Sequence, residues 1–147
     1  MEKLTLPNNV MLDSVRGMLA EGHRVVLMTR GFSMLPFIVG DRDSVELERK
    51  DTYHCGDIVL ALTDDGRWVL HRIRNTDEGG FILKGDGNLS GTERCSADNV
   101  AGAVCRIIKP HREVNCGTEG FARRSVVWRN MPYLIRRVIL GTIRRII

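Results

Sequence analysis

The sequence has no uncharged apolar run of about 18 residues, so it predicts no membrane-spanning helix. Its first residues, MEKLTLPNNVMLDSV, have none of the apolar core of a secretory signal peptide. No segment repeats at a fixed period, which disfavours a solenoid or a propeller. A chain of 147 residues without these features predicts one globular domain with a core of its own.

Cysteine spacing excludes another class of site. The chain has four cysteines, and no two of them form a CxxC pair, so the sequence predicts no zinc site. Without a signal peptide, free thiols in a reducing compartment are the better interpretation, and we expect a cytoplasmic protein. The four residues are Cys55, Cys95, Cys105 and Cys116.

Acidic residues are missing from the last part of the chain. Residues 121–147 contain seven arginines and no aspartate or glutamate, whereas the whole chain has a net charge of +4. Residues 1–120 therefore carry a net charge of about −3, seven units below the whole-chain value. The basic character belongs to the end of the chain, so we expect no nucleic-acid partner.

Hydrophobic periodicity predicts a mainly β fold with little helix before the end of the chain. A short amphipathic helix is expected over 9–21, and Asp64-Asp65-Gly66 suggests a hairpin turn between two strands. We predict a domain over 1–110, a linker over 111–120 and a helical tail over 121–147 that Pro132 breaks or kinks. The predicted strands cover 23–29, 44–48, 57–63, 67–74, 80–84 and 99–108.

The tail allows two interpretations. On one helix, Arg129, Arg136, Arg137, Arg144 and Arg145 would form one stripe beside many apolar residues. That stripe is either the solvated face of a helix packed on the domain, or the headgroup-facing side of a helix lying on anionic lipid. We favour peripheral membrane contact slightly, with docking to a partner protein as the rival.

Three polar residues stand in contexts that suggest catalysis. Ser33 lies in GFSMLP, just before the core strands. His71 lies in the apolar strand VLHRI, where burial would keep its ring neutral, as a general base needs. Asp86 lies in the tight loop KGDGN and could orient His71. A lone serine beside a glycine is usually only a turn, so the weight rests on the combination.

Five short motifs occur in a characteristic order. GFSMLP followed by GD, then GDIV, HRI, KGDGN and AGAV, span about residues 23–108. This order resembles type I signal peptidases, whose fold is shared by self-cleaving repressors such as LexA. The resemblance implies a twisted antiparallel β scaffold with an open groove, in which a peptide binds as an added strand.

The resemblance also implies residue roles. Ser33 would be the nucleophile and His71 its general base, as in the endoplasmic-reticulum and archaeal branch, with Asp86 supporting the histidine. Met34, Leu35 and Pro36 would border the substrate groove. The implied activity is a serine endopeptidase that cuts a leader, signal or precursor peptide through an acyl-enzyme, with no metal or organic cofactor.

The sequence departs from the family pattern in three respects. First, we see no membrane anchor before the domain. Second, Glu93 stands near the place of a second aspartate, so that Asp86 or Glu93 could complete a triad. Third, Gly31 stands where the family often has a serine that helps bind the oxyanion. A non-catalytic peptide-binding module therefore stays open as an alternative. A self-cleaving regulator is less favoured, because no helix-turn-helix precedes residue 23 and a histidine replaces the lysine base. We discount Lys84 as a base.

Overall fold

The computed structural model describes residues 4–5 and 9–147, so that residues 1–3 and 6–8 lie outside the described residues. These residues form nine strands, three α-helices and one 3₁₀ turn over Ala97–Asn99. The strands are β1 (Leu4–Thr5), β2 (Val25–Met28), β3 (Ser44–Glu48), β4 (Ile58–Leu62), β5 (Trp68–Asp77), β6 (Gly80–Lys84), β7 (Glu93–Ser96), β8 (Val100–Ile108) and β9 (Glu113–Asn115). The helices are α1 (Asn9–Ala20), α2 (Glu119–Asn130) and α3 (Tyr133–Ile146).

The strands form one curled sheet that resembles half a barrel. Its order is β1-β2-β3-β8-β4-β5-β6-β7, and β9 pairs with β8 off this path. Every described pairing is antiparallel except that of β1 with β2. The prediction of a mainly antiparallel β fold with a short N-terminal helix is therefore confirmed.

The two faces of the sheet carry separate cores. Helix α1 buries Leu12, Val15 and Leu19, which are spaced i, i+3 and i+7, against one face. The opposite face gathers a second cluster that includes Val59, Val69, Ile73, Leu83 and Cys95. Strand β5 contributes alternate residues to both faces, so that neighbouring side chains in it have different surroundings.

The C-terminal segment packs against the domain. Pro132 ends one helix and begins the next, as predicted, because proline lacks the N–H that a continuous helix needs. Phe121 of α2 joins the main core, while Trp128 and Leu140 form a third cluster with Leu35 and Val39. The predicted linker over 111–120 contains strand β9 and the start of α2. The arginines of the tail are thus divided between two helices and do not form one stripe.

All four cysteines are free thiols. Burial is the largest cause that raises the pKa of Cys95 to about 11, of Cys105 to about 12 and of Cys116 to about 11. Cys55 is exposed. Within residues 4–5 and 9–147, no helix is long and apolar enough to cross a bilayer.

Candidate active site

Ser33 lies in a closed loop between β2 and β3. Gly40 N–H donates to Gly31 O over 3.1 Å, which joins the two ends of the loop. A β-carbon at Gly40 would stand 2.1 Å from Gly31 O, so only glycine permits this closure. Asp43 supports the loop from beneath, because its carboxylate accepts from Val39 N–H over 2.9 Å. The glycines that bracket GFSMLPFIV therefore present Ser33 on a compact turn.

A second loop, residues 85–88, holds the serine loop in place. Gly87 N–H donates to Ser33 O over 2.8 Å. A β-carbon at Gly87 would lie 2.2 Å from Phe32 O, and one at Gly85 would lie 2.4 Å from Ser33 O. The same β-carbon at Gly85 would lie 3.1 Å from His71 Nε2. Both glycines are therefore needed for the close approach of the two loops, and His71 Nε2 faces the same point as the Ser33 backbone.

His71 is held by a carboxylate on its other side. Its Nδ1 lies 2.5 Å from Oε1 of Glu93, the first residue of β7. The His71 and Glu93 side chains are 9% and 14% exposed, so water reaches this pair only slightly. A carboxylate accepts a hydrogen bond from Nδ1–H, which leaves the free electron pair of a neutral ring on Nε2. Nε2 is the nitrogen that faces the serine loop.

The register of the sheet explains why Glu93 reaches His71. Glu93 pairs with Leu83, and Leu83 pairs with Ile73, so all three side chains share one face. His71 is two residues before Ile73 in β5 and therefore lies on that face too. Glu93 then spans β6 to reach the ring.

Ser33, His71 and Glu93 line one cavity of about 430 Å³. Among residues 4–5 and 9–147, no hydrogen bond joins the Ser33 hydroxyl to His71; catalytic hydrogen bonds in substrate-free enzymes are often long and tighten on binding. Two cationic side chains, Arg30 and Arg67, also line the cavity. The remaining lining residues are Thr29, Gly31, Met34, Ile38, Gly40, Trp68, Val69, Leu70 and Asn88.

One wall of the cavity is an open strand edge. Trp68–His71 pair with Leu62–Val59 of β4 on one side. On the other side, the described register of β6 begins only at Arg72, which pairs with Lys84. Trp68, Val69 and Leu70 line the cavity with part of their backbone unpaired on that side. An extended peptide can add there as a strand that runs beside Ser33 and His71.

Backbone donors are available beside Ser33. In the described part of the chain, the N–H groups of Ser33 and Met34 donate to no protein acceptor, whereas Leu35 N–H donates to Phe32 O over 3.2 Å. Gly31, φ +74°, offers no side chain for an oxyanion. Oxyanion binding here would rest on backbone N–H groups.

Asp86 is not the partner of His71, which corrects the sequence-based expectation. Its carboxylate accepts from Arg72 Nη2 over 2.6 Å and from Arg72 Nε over 2.9 Å. The Asp86 carbonyl accepts from Trp128 Nε1 over 2.8 Å. Arg72 follows His71 directly, so the strand alternation sends it to the opposite face, where Asp86 meets it. The contact with His71 that was expected of Asp86 is made by Glu93, the other carboxylate considered in the sequence.

The expected groove residues separate in the same way. Met34 lines the cavity, as expected. Leu35 is fully buried against Trp128 and Leu140 and forms no part of the cavity wall. Pro36, which follows a cis peptide bond, is also not among the lining residues. Trp68 and Leu70 line the cavity but were not predicted as site residues, although the hairpin predicted over 57–74 contains both.

The combination of a serine, a carboxylate-bound histidine, free backbone donors and an open strand edge can bind an extended peptide and attack its carbonyl. No protein-family model matches the sequence.

Proposed function

We propose that the protein is a serine endopeptidase that cuts a leader, signal or precursor peptide. One observation carries the proposal. His71 is held at Nδ1 by Glu93 over 2.5 Å, and its Nε2 faces the backbone of Ser33 in a cavity with an open strand edge. The three side chains stand in the order found in a serine-peptidase triad, in which an acid orients the base toward the nucleophile.

The proposed mechanism uses only residues of this chain. His71 Nε2 accepts the Ser33 hydroxyl proton while Oγ attacks the peptide carbonyl, and Glu93 stabilises the imidazolium without itself becoming protonated. The oxyanion is bound by the N–H groups of Ser33 and Met34. The tetrahedral intermediate collapses, the C–N bond breaks, and His71 gives its proton to the leaving amine. Water, deprotonated by the same nitrogen, then hydrolyses the Ser33 ester.

The peptidase class is proposed from two further supports. The order of the motifs resembles the type I signal peptidases, and the curled antiparallel sheet agrees with the scaffold that the resemblance implies. The finer proposal is the histidine-dependent branch of that superfamily, with Glu93 in the role of the acid. A precursor would lie along Trp68–Leu70 as an added strand, with its scissile carbonyl beside Ser33.

A non-catalytic peptide-binding module is the second candidate. The absence of a hydrogen bond between Ser33 and His71 among the described residues favours it, together with Gly31 in place of an oxyanion-binding side chain. The same strand edge would then hold a peptide without cutting it. A self-cleaving regulator is the third candidate, and fragments of the chain that vanish in Ser33→Ala would reveal it.

We further propose that the peptidase works at or near the inner face of a membrane. Helix α3 exposes the apolar side chains of Leu134 and Val138 beside the exposed Arg137 and Arg145. Apolar side chains between cations suit the interface of an anionic bilayer. Co-sedimentation with phosphatidylglycerol vesicles should be lost in Leu134→Ser/Val138→Ser, and no sedimentation of wild type would remove this part of the proposal.

Co-expression tests the proposed function. The protein is expressed with short precursor peptides encoded beside its gene, and the peptides are weighed by mass spectrometry. We expect one defined fragment pair with wild type and intact peptide with Ser33→Ala. Intact peptide that co-purifies with both proteins would support the binding module instead.

A further inference from the structure

A second group of charged residues lies on the face of the sheet opposite His71. Arg72 of β5 and Lys84 of β6 are register partners, so their side chains share this face. Arg74 stands at the β-bulge between Ile73 and Asn75. Helix α2 covers the same face, because Arg72 packs 5.7 Å from the ring centroid of Phe121.

Helices α2 and α3 contribute two more cations, Arg129 and Arg136, to this face of the sheet. Burial first, and then the charges of Arg129 and Arg136, lower the pKa of Arg74, while the charge of Asp86 raises it in part. Burial, Arg74 and Arg136 likewise lower the pKa of Lys84. Arg74, Lys84, Arg129 and Arg136 are all half-buried, and we call these four residues the cation cluster.

The cation cluster has no carboxylate of its own in the described chain. Within residues 4–5 and 9–147, none of its four members forms an ion pair, and Asp86 nearby is bound by Arg72. Lys84 Nζ has a single long contact, 3.5 Å to Leu89 O. Nε of Arg136 is buried without a hydrogen-bond partner among the described residues.

Several other half-buried cations among the described residues are paired with carboxylates. Lys109 lies 2.7 Å from Asp43, and Arg106 lies 2.8 Å from Glu46. A cluster of like charges removed from water and left without acceptors opposes folding. Because three guanidinium groups and one ammonium converge here without an acceptor, we infer that an anion from outside the chain balances their charge.

We propose that the cation cluster binds a phosphate group. A phosphate offers three terminal oxygens and up to two negative charges, which matches several guanidinium forks and one ammonium. A single carboxylate has two oxygens and one charge and would leave most of the cluster unbalanced. The phosphate is either free in solution or the phosphomonoester headgroup of phosphatidic acid, since a phosphodiester has only two terminal oxygens and one charge. The site lies on the other face from His71, so it is independent of the proposed peptidase activity.

Thermal unfolding in matched salts tests the proposal. Wild type is compared with Arg129→Gln/Arg136→Gln, and with Arg49→Gln/Arg112→Gln as a control that removes the same charge from exposed positions outside the cluster and outside α3. Phosphate at ten times its dissociation constant should raise the melting temperature of wild type by roughly 3–6 °C over chloride at equal ionic strength. The control should keep this increment, and the cluster variant should lose it. Lys84→Met provides a second variant if the double variant does not fold.

Vesicles distinguish the two sources of phosphate. Binding to phosphatidic acid vesicles that is lost in the cluster variant, kept in the control variant and absent with phosphatidylcholine vesicles would assign a lipid headgroup. A phosphate increment without cluster-dependent vesicle binding would assign a soluble phosphate. An equal phosphate increment in wild type and the cluster variant, or no increment over chloride together with no cluster-dependent vesicle binding, would overturn the proposal.

Discussion

The replacement Glu93→Gln tests the role of the carboxylate that contacts His71. Glutamine keeps the size of the side chain and removes its charge. At an effective dielectric constant of about 20, opposite charges about 4 Å apart attract by about 4 kcal/mol. The lost attraction to the protonated ring corresponds to roughly a thousandfold fall in kcat. Because Glu93 contacts the base and not the peptide, KM should change little.

The assay uses the first peptide that the wild-type protein cleaves, with kcat and KM measured across a range of pH. Glu113→Gln is the matched control, since it removes an exposed carboxylate that contacts Arg106 and not His71. Wild-type kcat in Glu93→Gln, or a loss confined to KM, would refute the triad-like role of Glu93.

Three further predictions concern the scaffold. Gly85→Ala should abolish peptide cleavage, since its β-carbon would lie 2.4 Å from Ser33 O. Gly17→Ala is the control and should leave activity intact, because a β-carbon there would have no atom within 4 Å. Cleavage by Gly85→Ala would contradict the close contact between the two loops. Arg72→Met should lower the free energy of unfolding in urea by about 3–5 kcal/mol, because it leaves Asp86 buried and unpaired, and an unchanged midpoint would argue against that pair. Iodoacetamide at neutral pH should add one adduct, at Cys55, while the three thiols with raised pKa values react only as the pH approaches about 11 for Cys95 and Cys116 and about 12 for Cys105. Early reaction of all four thiols would contradict the burial of these three.

The sequence predicts those elements whose local pattern matches their surroundings. Ser44–Glu48 and Gly80–Lys84 are strands with the predicted bounds, and the hairpin across Gly66 is present. Strand β7 was not predicted, because Glu93–Ser96 has little apolar alternation and is held by its pairing with β6. Strand β9 has three residues and likewise depends on β8, a tertiary contact that a local pattern does not contain.

The candidate site was predictable in its type and less so in its partners. The motifs single out Ser33 and His71, and the structure brings both to one cavity. The choice between Asp86 and Glu93 depends on which face of the sheet each carboxylate meets. That outcome follows from the pairing of Glu93 with Leu83 across two strands, and no spacing in the sequence specifies it. The burial of Leu35 depends in the same way on where α2 and α3 pack.

Digestion of a proteome-derived peptide library tests the central claim most directly. The purified wild-type protein, Ser33→Ala and His71→Ala are incubated with the library, and new peptide ends are identified by mass spectrometry after equal thermal stability of the three proteins has been verified. We expect a defined set of new peptide ends with wild type and none with either variant. The same ends from Ser33→Ala, or none from wild type, would contradict a peptidase that uses Ser33 as its nucleophile.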